Sequence, residues 1–160
     1  MFYTDKNIIN NSSFACFLFV LFTEEYEKIS IANRRPDLMQ CLLILPFIWH
    51  KLSCDTIKSK KRTTPLNTVI QDNPLIKFNF KNRVNNYSGI TLQGLNLAVS
   101  SGLLIRESNN NKILFQRSKK KWPANIKTQL PSDMIRAITR LAYWFYHMDT
   151  PTVYNLILEK

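Results

Sequence analysis

The stretch that decides the fold is TLQGLNLAVSSGLLIRESNNNKILFQ, residues 91–116. Its first half carries apolar residues at helical spacing and ends at Ser101-Gly102, where glycine suits the left-handed position that closes a helix. Two short apolar runs follow, Leu103–Ile105 and Lys112–Gln116, and the turn between them is rich in asparagine, which tolerates positive φ. This order is typical of the end of a winged helix, in which the hairpin is the wing, although it also fits any helix followed by a hairpin.

The segments before this stretch predict further helices. Thr64-Pro65, a capping residue followed by proline at the first helical position, predicts a helix that stops near Asn73-Pro74. Another helix is expected from Pro74 to about Asn86, and Ser88 or Thr91 then caps the helix that leads into the hairpin. We therefore expect two separate helices between residues 74 and 101.

The N-terminal part of the chain is rich in apolar residues. Asn11, Ser12 and Ser13 can cap a helix through about Lys28 that is apolar on nearly all faces, which is typical of a helix central to a core or covered by a partner. After a loop at residues 34–37 the run Leu38–Trp49 is again apolar, and Pro46 is expected to kink or end its helix.

Targeting and redox features favour the cytoplasm. Neither apolar run approaches the ~20 residues that a membrane span needs, and no small-residue cleavage site follows the first one. We therefore expect no export signal and no membrane contact. The three cysteines, Cys16, Cys41 and Cys54, are an odd number without metal-type spacing, and we interpret them as reduced, mostly buried thiols.

A strong amphipathic helix is expected near the C-terminus, with Ser132 as its cap and a last short helix starting at Thr150-Pro151. Its apolar face consists of Ile135, Ile138, Leu141, Ala142, Phe145 and Met148. Its polar face carries Arg136, Arg140, Tyr143 and His147. Residues 144–146 are three consecutive aromatics that cannot all face one core, so at least one should lie at a rim or an interface. The candidate partner interface is therefore Arg136, Arg140, Tyr143, Trp144 and His147.

The net charge of +11 is concentrated in the middle of the chain. Residues 56–132 hold fourteen Lys or Arg against two acids, a net of +12, between two near-neutral ends. Two basic runs stand out: Lys58, Lys60, Lys61 and Arg62 before the expected winged helix, and Arg117, Lys119, Lys120 and Lys121 at the end of the wing. Each run fits a solvated face, contact with DNA phosphates or contact with an acidic protein surface.

The sequence lacks motifs for catalysis or cofactor binding. It has no Walker motif, no dinucleotide-binding glycine pattern, no zinc pair and no nucleophile elbow. His50 and Cys54 are four residues apart, but nothing orients a third group beside them, so a hydrolase is disfavoured. We expect no catalytic residues, no cofactor, no metal and no small-molecule substrate.

Six short stretches, spread over most of the chain, carry a family resemblance: Asn11–Ala15 with Glu25-Tyr26-Glu27 at the end of its helix, Leu42–Pro46 followed by His50-Lys51, Gly94-Leu95 through Ser101–Leu104, Arg140–Phe145, Thr150–Tyr154 and Leu156–Leu158. In this order and spacing they resemble the middle component of three-component ABC systems. That group includes the small subunit of Lamassu-type anti-phage and anti-plasmid defence.

The resemblance implies a small subunit that binds the head region of an SMC-like ATPase, similar to the kleisin-interacting winged-helix subunits of bacterial condensins. In Lamassu-like systems an effector subunit, commonly a nuclease, joins the ATPase, and the complex senses foreign DNA. The family assigns no catalytic residues. The present chain departs from the family in its two basic runs, which are stronger than the pattern requires.

The expected fold class is mainly α (α+β), with a winged-helix-like element of one helix followed by a two-stranded wing. We expect a single domain, 1–160, made of an N-terminal helical part (1–62), a winged-helix-like part (63–121) and C-terminal helices (122–160). The favoured hypothesis is a non-enzymatic adaptor in a defence complex, partnering an SMC-like ATPase, an effector nuclease and the duplex DNA backbone. The alternative is a stand-alone winged-helix transcriptional regulator, although its helix 90–101 carries no Lys or Arg, the residues that most often read guanine.

Overall fold

The hairpin predicted from residues 91–116 is present in the computed structural model, which describes residues 11–29 and 32–159. The elements in chain order are α1 (Ser12–Ile29), α2 (Leu38–Cys41), α3 (Ile44–Ile48), α4 (Lys51–Ser59), α5 (Leu66–Asp72), a 3-10 turn (Pro74–Lys77), α6 (Phe80–Ser100), β1 (Leu104–Asn109), β2 (Lys112–Arg117), α7 (Ile126–Gln129), α8 (Ser132–His147) and α9 (Thr150–Leu158). The described chain is mainly helical with a two-stranded sheet after its longest helix. The predicted fold class is therefore confirmed.

The wing is an antiparallel pair whose register runs from Leu104 opposite Arg117 to Asn109 opposite Lys112. Asn110 and Asn111 form its turn with φ angles of 48° and 61°, the left-handed values that a two-residue hairpin turn needs. Gly102, with φ 78°, closes α6 as predicted. Phe115 N donates a hydrogen bond to Pro36 O (3.0 Å), so the loop before α2 extends the wing on its outer side.

The prediction of two separate helices between residues 74 and 101 is wrong, because α6 runs unbroken for 21 residues. Ser88, Gly89 and Thr91 lie inside it and start no helix. The true break is at Phe78-Asn79, where Asn79 has a left-handed φ of 53°. Gly89 costs the helix about 1 kcal/mol relative to alanine, but the long packing of α6 on α1 outweighs this local preference.

Helix α1 is the centre of the core. Leu18, Phe19, Val20 and Phe22 are fully buried, and the helix packs on α6, α8 and β2. The tightest approach is at Gly94 of α6, where an added Cβ would lie 2.9 Å from Ala15 Cβ and 3.1 Å from Cys16 N. Of the two alternatives predicted for this helix, the position at the centre of the core is confirmed, and glycine is required where α6 crosses it.

The run Leu38–Trp49 forms two short helices, and its break lies at Leu42-Leu43 rather than at Pro46. Pro46 falls in the first turn of α3, where its missing N–H would have had no helical partner. The preceding helix begins with a capping box, because Gln40 N donates to Asp37 Oδ1 (2.8 Å) while Asp37 N donates to Gln40 Oε1 (3.2 Å).

Three other helix starts differ by one residue from the sequence prediction. Pro65, Pro131 and Asp149 occupy the N-cap positions in place of Thr64, Ser132 and Thr150. At the last of these, Asp149 Oδ1 accepts from Thr152 N (2.8 Å), since aspartate is a stronger cap than threonine. Thr150 instead donates its hydroxyl to Asp37 Oδ2 (2.9 Å), which links α9 to the capping box.

The prediction that one of three consecutive aromatics lies at a rim is also wrong. Trp144, Phe145 and Tyr146 are 3%, 0% and 6% exposed. The segment after α4 covers the first, because Trp144 Nε1 donates to Arg62 O (2.9 Å). Tyr146 packs edge-on against Tyr26 of α1, with ring centroids 5.3 Å apart. Helix α8 is thus enclosed on three sides by elements distant in sequence.

Two further predictions can be compared with the structure. Cys16, Cys41 and Cys54 are buried and free, as the sequence predicts. Within the two described ranges, no helix is long and apolar enough to cross a membrane.

A matched pair of glycine substitutions in α6 tests the crossing of α1 and α6. We expect Gly94→Ala to lower the free energy of unfolding by about 1–3 kcal/mol, because the new methyl group meets backbone that cannot rotate away. Gly89→Ala should raise it by about 0.5–1 kcal/mol, because nothing lies within 4 Å of the added Cβ. Urea denaturation of both variants measures these changes. Equal effects of the two substitutions would contradict the close crossing.

Candidate protein-interaction surface

The first basic run and the predicted partner interface meet in space. Arg140 Nε donates to Lys60 O (2.9 Å), and the guanidinium of Arg62 lies 5.4 Å from the ring centroid of Tyr143. The first basic run and the partner interface were predicted as separate sites, because about eighty residues divide them in the sequence. We call the combined face the α4–α8 surface; it consists of Lys60, Lys61, Arg62, Arg136, Arg140, Tyr143 and His147.

A groove of about 560 Å³ lies beside this surface, between the segment after α4 and helices α8 and α9. Leu66 and Trp144, both buried, form part of its apolar wall, and Arg62, Tyr143 and His147 contribute polar groups. Among the described residues that line it, none is acidic. Trp144 is therefore a supporting wall of the groove rather than an exposed contact residue.

Lys58 differs from the rest of the first basic run. Its amine contacts Asp133 Oδ2 (2.8 Å) and Asp55 Oδ1 (2.9 Å), and these carboxylates hold the pKa of Lys58 above its ordinary value. It therefore ties α4 to the start of α8. By contrast, Arg140 donates only to carbonyl oxygens, so its charge is not neutralised within the described part of the chain.

The second basic run is divided between internal and exposed roles. Arg117 contacts Glu24 (Nε to Oε2, 3.4 Å) and donates to Lys120 O (3.0 Å). Lys120 Nζ donates to Ser101 O (2.6 Å) at the C-terminus of α6, where a cation stabilises the helix dipole. Lys119 and Lys121 are exposed with no partner in residues 11–29 and 32–159, so these two cations of the run are held by no internal contact there.

Glu24 of α1 holds the segment after the wing in place. Its Oε2 accepts from Trp122 Nε1 (2.7 Å), its Oε1 accepts from Lys127 Nζ, and its side chain is 19% exposed. Burial alone would raise the pKa of Glu24, but the hydrogen bonds from Lys127 and Trp122 outweigh it and hold the pKa below its ordinary value. Sequence reasoning missed this contact. The available signal was an acidic end on an apolar helix in a chain with a strongly basic middle.

The exposed face of α6 next to the wing is uncharged and includes the apolar side chains of Leu92 and Leu97. Gln93, Asn96 and Ser100 are exposed there. This is the helix that would enter the major groove if the element read DNA as a winged helix does. The part of α6 next to the wing, residues 90–100, contains no arginine or lysine for the commonest base contact.

The His50 and Cys54 pair does not form a base and nucleophile. His50 Nδ1 lies 2.7 Å from Ser53 Oγ, while Cys54 Sγ donates weakly to Asp133 O (3.8 Å). Burial lowers the pKa of His50 and raises the pKa of Cys54 to about 11. The thiol is therefore protonated at neutral pH and is engaged elsewhere.

These features define a class: a small, mainly helical protein with a helix-and-wing element and a cationic surface beside an apolar groove. Residues 4–157 match the family model of Middle Component 3 of ABC-three component systems, and the chain belongs to this family. A middle component of a multi-component system fits an adaptor role that involves protein partners. Searches of curated proteins and of solved structures found no match.

The anchoring role of Glu24 gives a pH-dependent prediction. We expect Glu24→Gln to lower the free energy of unfolding at pH 7 by about 1–2 kcal/mol, because it removes the charge that faces Lys127 and Arg117. The folded-state pKa is depressed, so this stabilisation is present above the ordinary value of 4.5 and is lost as the pH falls below it. The difference in free energy of unfolding between wild type and Glu24→Gln should therefore shrink below about pH 4.5.

The matched control is Glu25→Gln in the same turn of α1. Among the described residues Glu25 pairs only with Lys28, whose side chain is 58% exposed, so removing the Glu25 charge should change the free energy of unfolding by less than about 0.5 kcal/mol. Thermal unfolding of the three proteins from pH 7 to pH 3 measures both effects. If the difference in stability between wild type and Glu24→Gln stays constant with pH, the role assigned to the Glu24 carboxylate is contradicted.

Proposed function

We propose that this middle component is a non-enzymatic adaptor that bridges an SMC-like ATPase and an effector nuclease in a Lamassu-type anti-phage or anti-plasmid system. The observation that carries the proposal is the α4–α8 surface. It joins five cations, of which none has a carboxylate partner in the described ranges, to a groove with apolar walls. Such an arrangement suits a protein contact in which an apolar centre is ringed by charge.

Charge favours an acidic partner for this surface. The chain carries a net charge of +11, so opposite charge on the ATPase or effector would speed association and orient the complex. Tyr143 and Arg140 are residue types that commonly dominate binding energy at interfaces. We assign the ATPase to the α4–α8 surface, because the predicted interface residues Arg136, Arg140, Tyr143 and His147 gather there.

Contact with duplex DNA in this scheme is limited to the phosphate backbone. Lys119 and Lys121 beside the wing are the cations that support it, and such binding would weaken steeply as salt rises. The alternative of a stand-alone transcriptional regulator is less well supported, because the exposed face of α6 next to the wing presents Gln93, Asn96 and Ser100 without a cation. The buried, free cysteines favour a site of action in the cytoplasm.

Charge reversals on the α4–α8 surface and beside the wing test the assignment of the ATPase to the α4–α8 surface. The protein is co-expressed with the other two components of its system, and co-purification of each component is measured. We expect Lys61→Glu with Arg62→Glu to reduce recovery of the ATPase at least tenfold. The matched control, Lys119→Glu with Lys121→Glu, should leave recovery unchanged and weaken binding to duplex DNA at low salt.

The results separate the adaptor from its alternative. Wild-type protein that recovers neither component, but binds one DNA sequence selectively as a dimer, would establish the regulator instead. Equal recovery of the ATPase by both double variants would show that the α4–α8 surface is not its docking site.

A further inference from the structure

A second apolar patch lies where the 3-10 turn meets the end of α9. Leu75 and Phe78 are 59% and 65% exposed, and Leu158 lies beside them. Of the large apolar side chains that the structure describes, these first two are the most exposed. Together they line a depression of about 530 Å³, and we call Leu75, Phe78 and Leu158 the 75–158 patch.

Arg83 holds the backbone at Phe78 in place through hydrogen bonds. Its Nη2 donates to Phe78 O (3.1 Å) and also to Ile76 O, and its Nη1 donates to Pro46 O (2.8 Å). Asn79 follows with a left-handed φ of 53°, which turns the chain into α6 directly after the exposed ring. The segment is thus held in one conformation with Phe78 facing solvent. A fixed aromatic side chain loses little conformational entropy when a partner covers it.

The rim of the patch is positively charged. Lys77 and Lys81 line it, and Lys77 Nζ donates to the backbone carbonyl of Glu159, which leaves its charge in place. No aspartate or glutamate occurs between Asn73 and Arg106 in the sequence. Glu159 is the single acidic residue among the described ones that line the depression. The apolar centre therefore has cations along the side formed by the 3-10 turn and α6.

We propose that the 75–158 patch is a docking site for an acidic amphipathic helix of another subunit of the same system. A helix whose apolar stripe is flanked by Asp and Glu would cover Phe78 and Leu75 and face Lys77 and Lys81 at once. A second copy of this chain fits poorly, because a twofold contact would bring the same lysines face to face. The identity of the partner rests on the proposed adaptor function, whereas its chemistry rests on the patch itself.

The patch is separate from the α4–α8 surface in its residues, and the two have no lining residue in common. A bridging subunit needs two such surfaces in order to hold two partners at once. We therefore assign the effector to the 75–158 patch.

The first test uses the full chain and two synthetic peptides of eighteen residues. One has leucine at positions i, i+3, i+4 and i+7 of a helix with glutamate elsewhere, and the other has lysine in place of every glutamate. Fluorescence anisotropy at low salt should detect binding of the glutamate peptide only. Phe78→Ser should weaken that binding at least tenfold and Lys81→Glu severalfold, while Leu92→Ser, which removes an exposed leucine elsewhere on α6, should leave it unchanged.

The second test measures co-purification of the ATPase and the effector with the same variants. Phe78→Ser should reduce recovery of the effector at least tenfold and leave recovery of the ATPase and the melting temperature unchanged. Equal peptide binding by wild type and Phe78→Ser, or equal binding of both peptides, would overturn the proposal. So would a large fall in melting temperature for Phe78→Ser, or a wild-type dimer that this variant dissociates.

The two proposals fail in different ways. Wild-type protein that recovers neither component refutes the adaptor function, while the peptide measurements still decide the nature of the patch. Loss of the ATPase through Lys61→Glu with Arg62→Glu, together with unchanged peptide and effector binding by Phe78→Ser, refutes the patch and leaves the adaptor function standing.

Discussion

The close crossing of α1 and α6 at Gly94 is the constraint on which the rest of the structure depends. A Cβ at this position would lie 2.9 Å from Ala15 Cβ and 3.1 Å from Cys16 N of α1, so the crossing fixes the distance between the two longest described helices. Once α6 is seated, Gly102 turns the chain into the wing, and the end of β2 lies where Glu27 Oε1 accepts from Arg117 N (2.7 Å). The opposite faces of α1 remain open to α8, whose Phe145 packs on Phe22. Gly94 thus determines how closely α6 approaches α1, and the wing and α8 are positioned relative to these two helices.

The basic middle of the chain serves two physical purposes that its composition does not distinguish. Lys58 and Arg117 each form an ion pair with a carboxylate of a distant segment, Asp133 and Glu24 respectively. These two cations therefore stabilise the fold. Other cations donate to uncharged oxygens within the described ranges: Arg140 to carbonyl groups, and Arg83 to carbonyl groups and the Ser53 hydroxyl. These bonds orient the side chains without cancelling their charge. Their positive field therefore persists at the two proposed docking surfaces. A net charge becomes informative about partners only after the internally paired cations are set aside.

Local sequence signals predicted the parts of the fold that local chemistry determines. The asparagine turn, the Gly102 stop and the apolar first helix each follow from a few neighbouring residues. The continuity of α6 through Gly89 does not, because the packing of its whole length on α1 overrides a weak local break. The burial of Trp144 and the joining of the first basic run to α8 also escaped prediction, since both depend on contacts across about eighty residues. Glu24 shows the same limit, because its role depends on partners that lie beyond the wing.

Helix α6 also sets the geometry available to an adaptor. The 75–158 patch adjoins its first turn and the wing follows its last, and 21 residues at 1.5 Å each separate them by about 30 Å. This length exceeds the diameter of a docked helix, about 10 Å, so a partner at the patch leaves the wing accessible. Because α6 is pinned to α1 at Gly94, the two ends cannot move independently without opening the core. A rigid spacer of this kind can hold a protein at the patch and DNA beside the wing in a defined relative orientation, which a flexible linker of equal length cannot do.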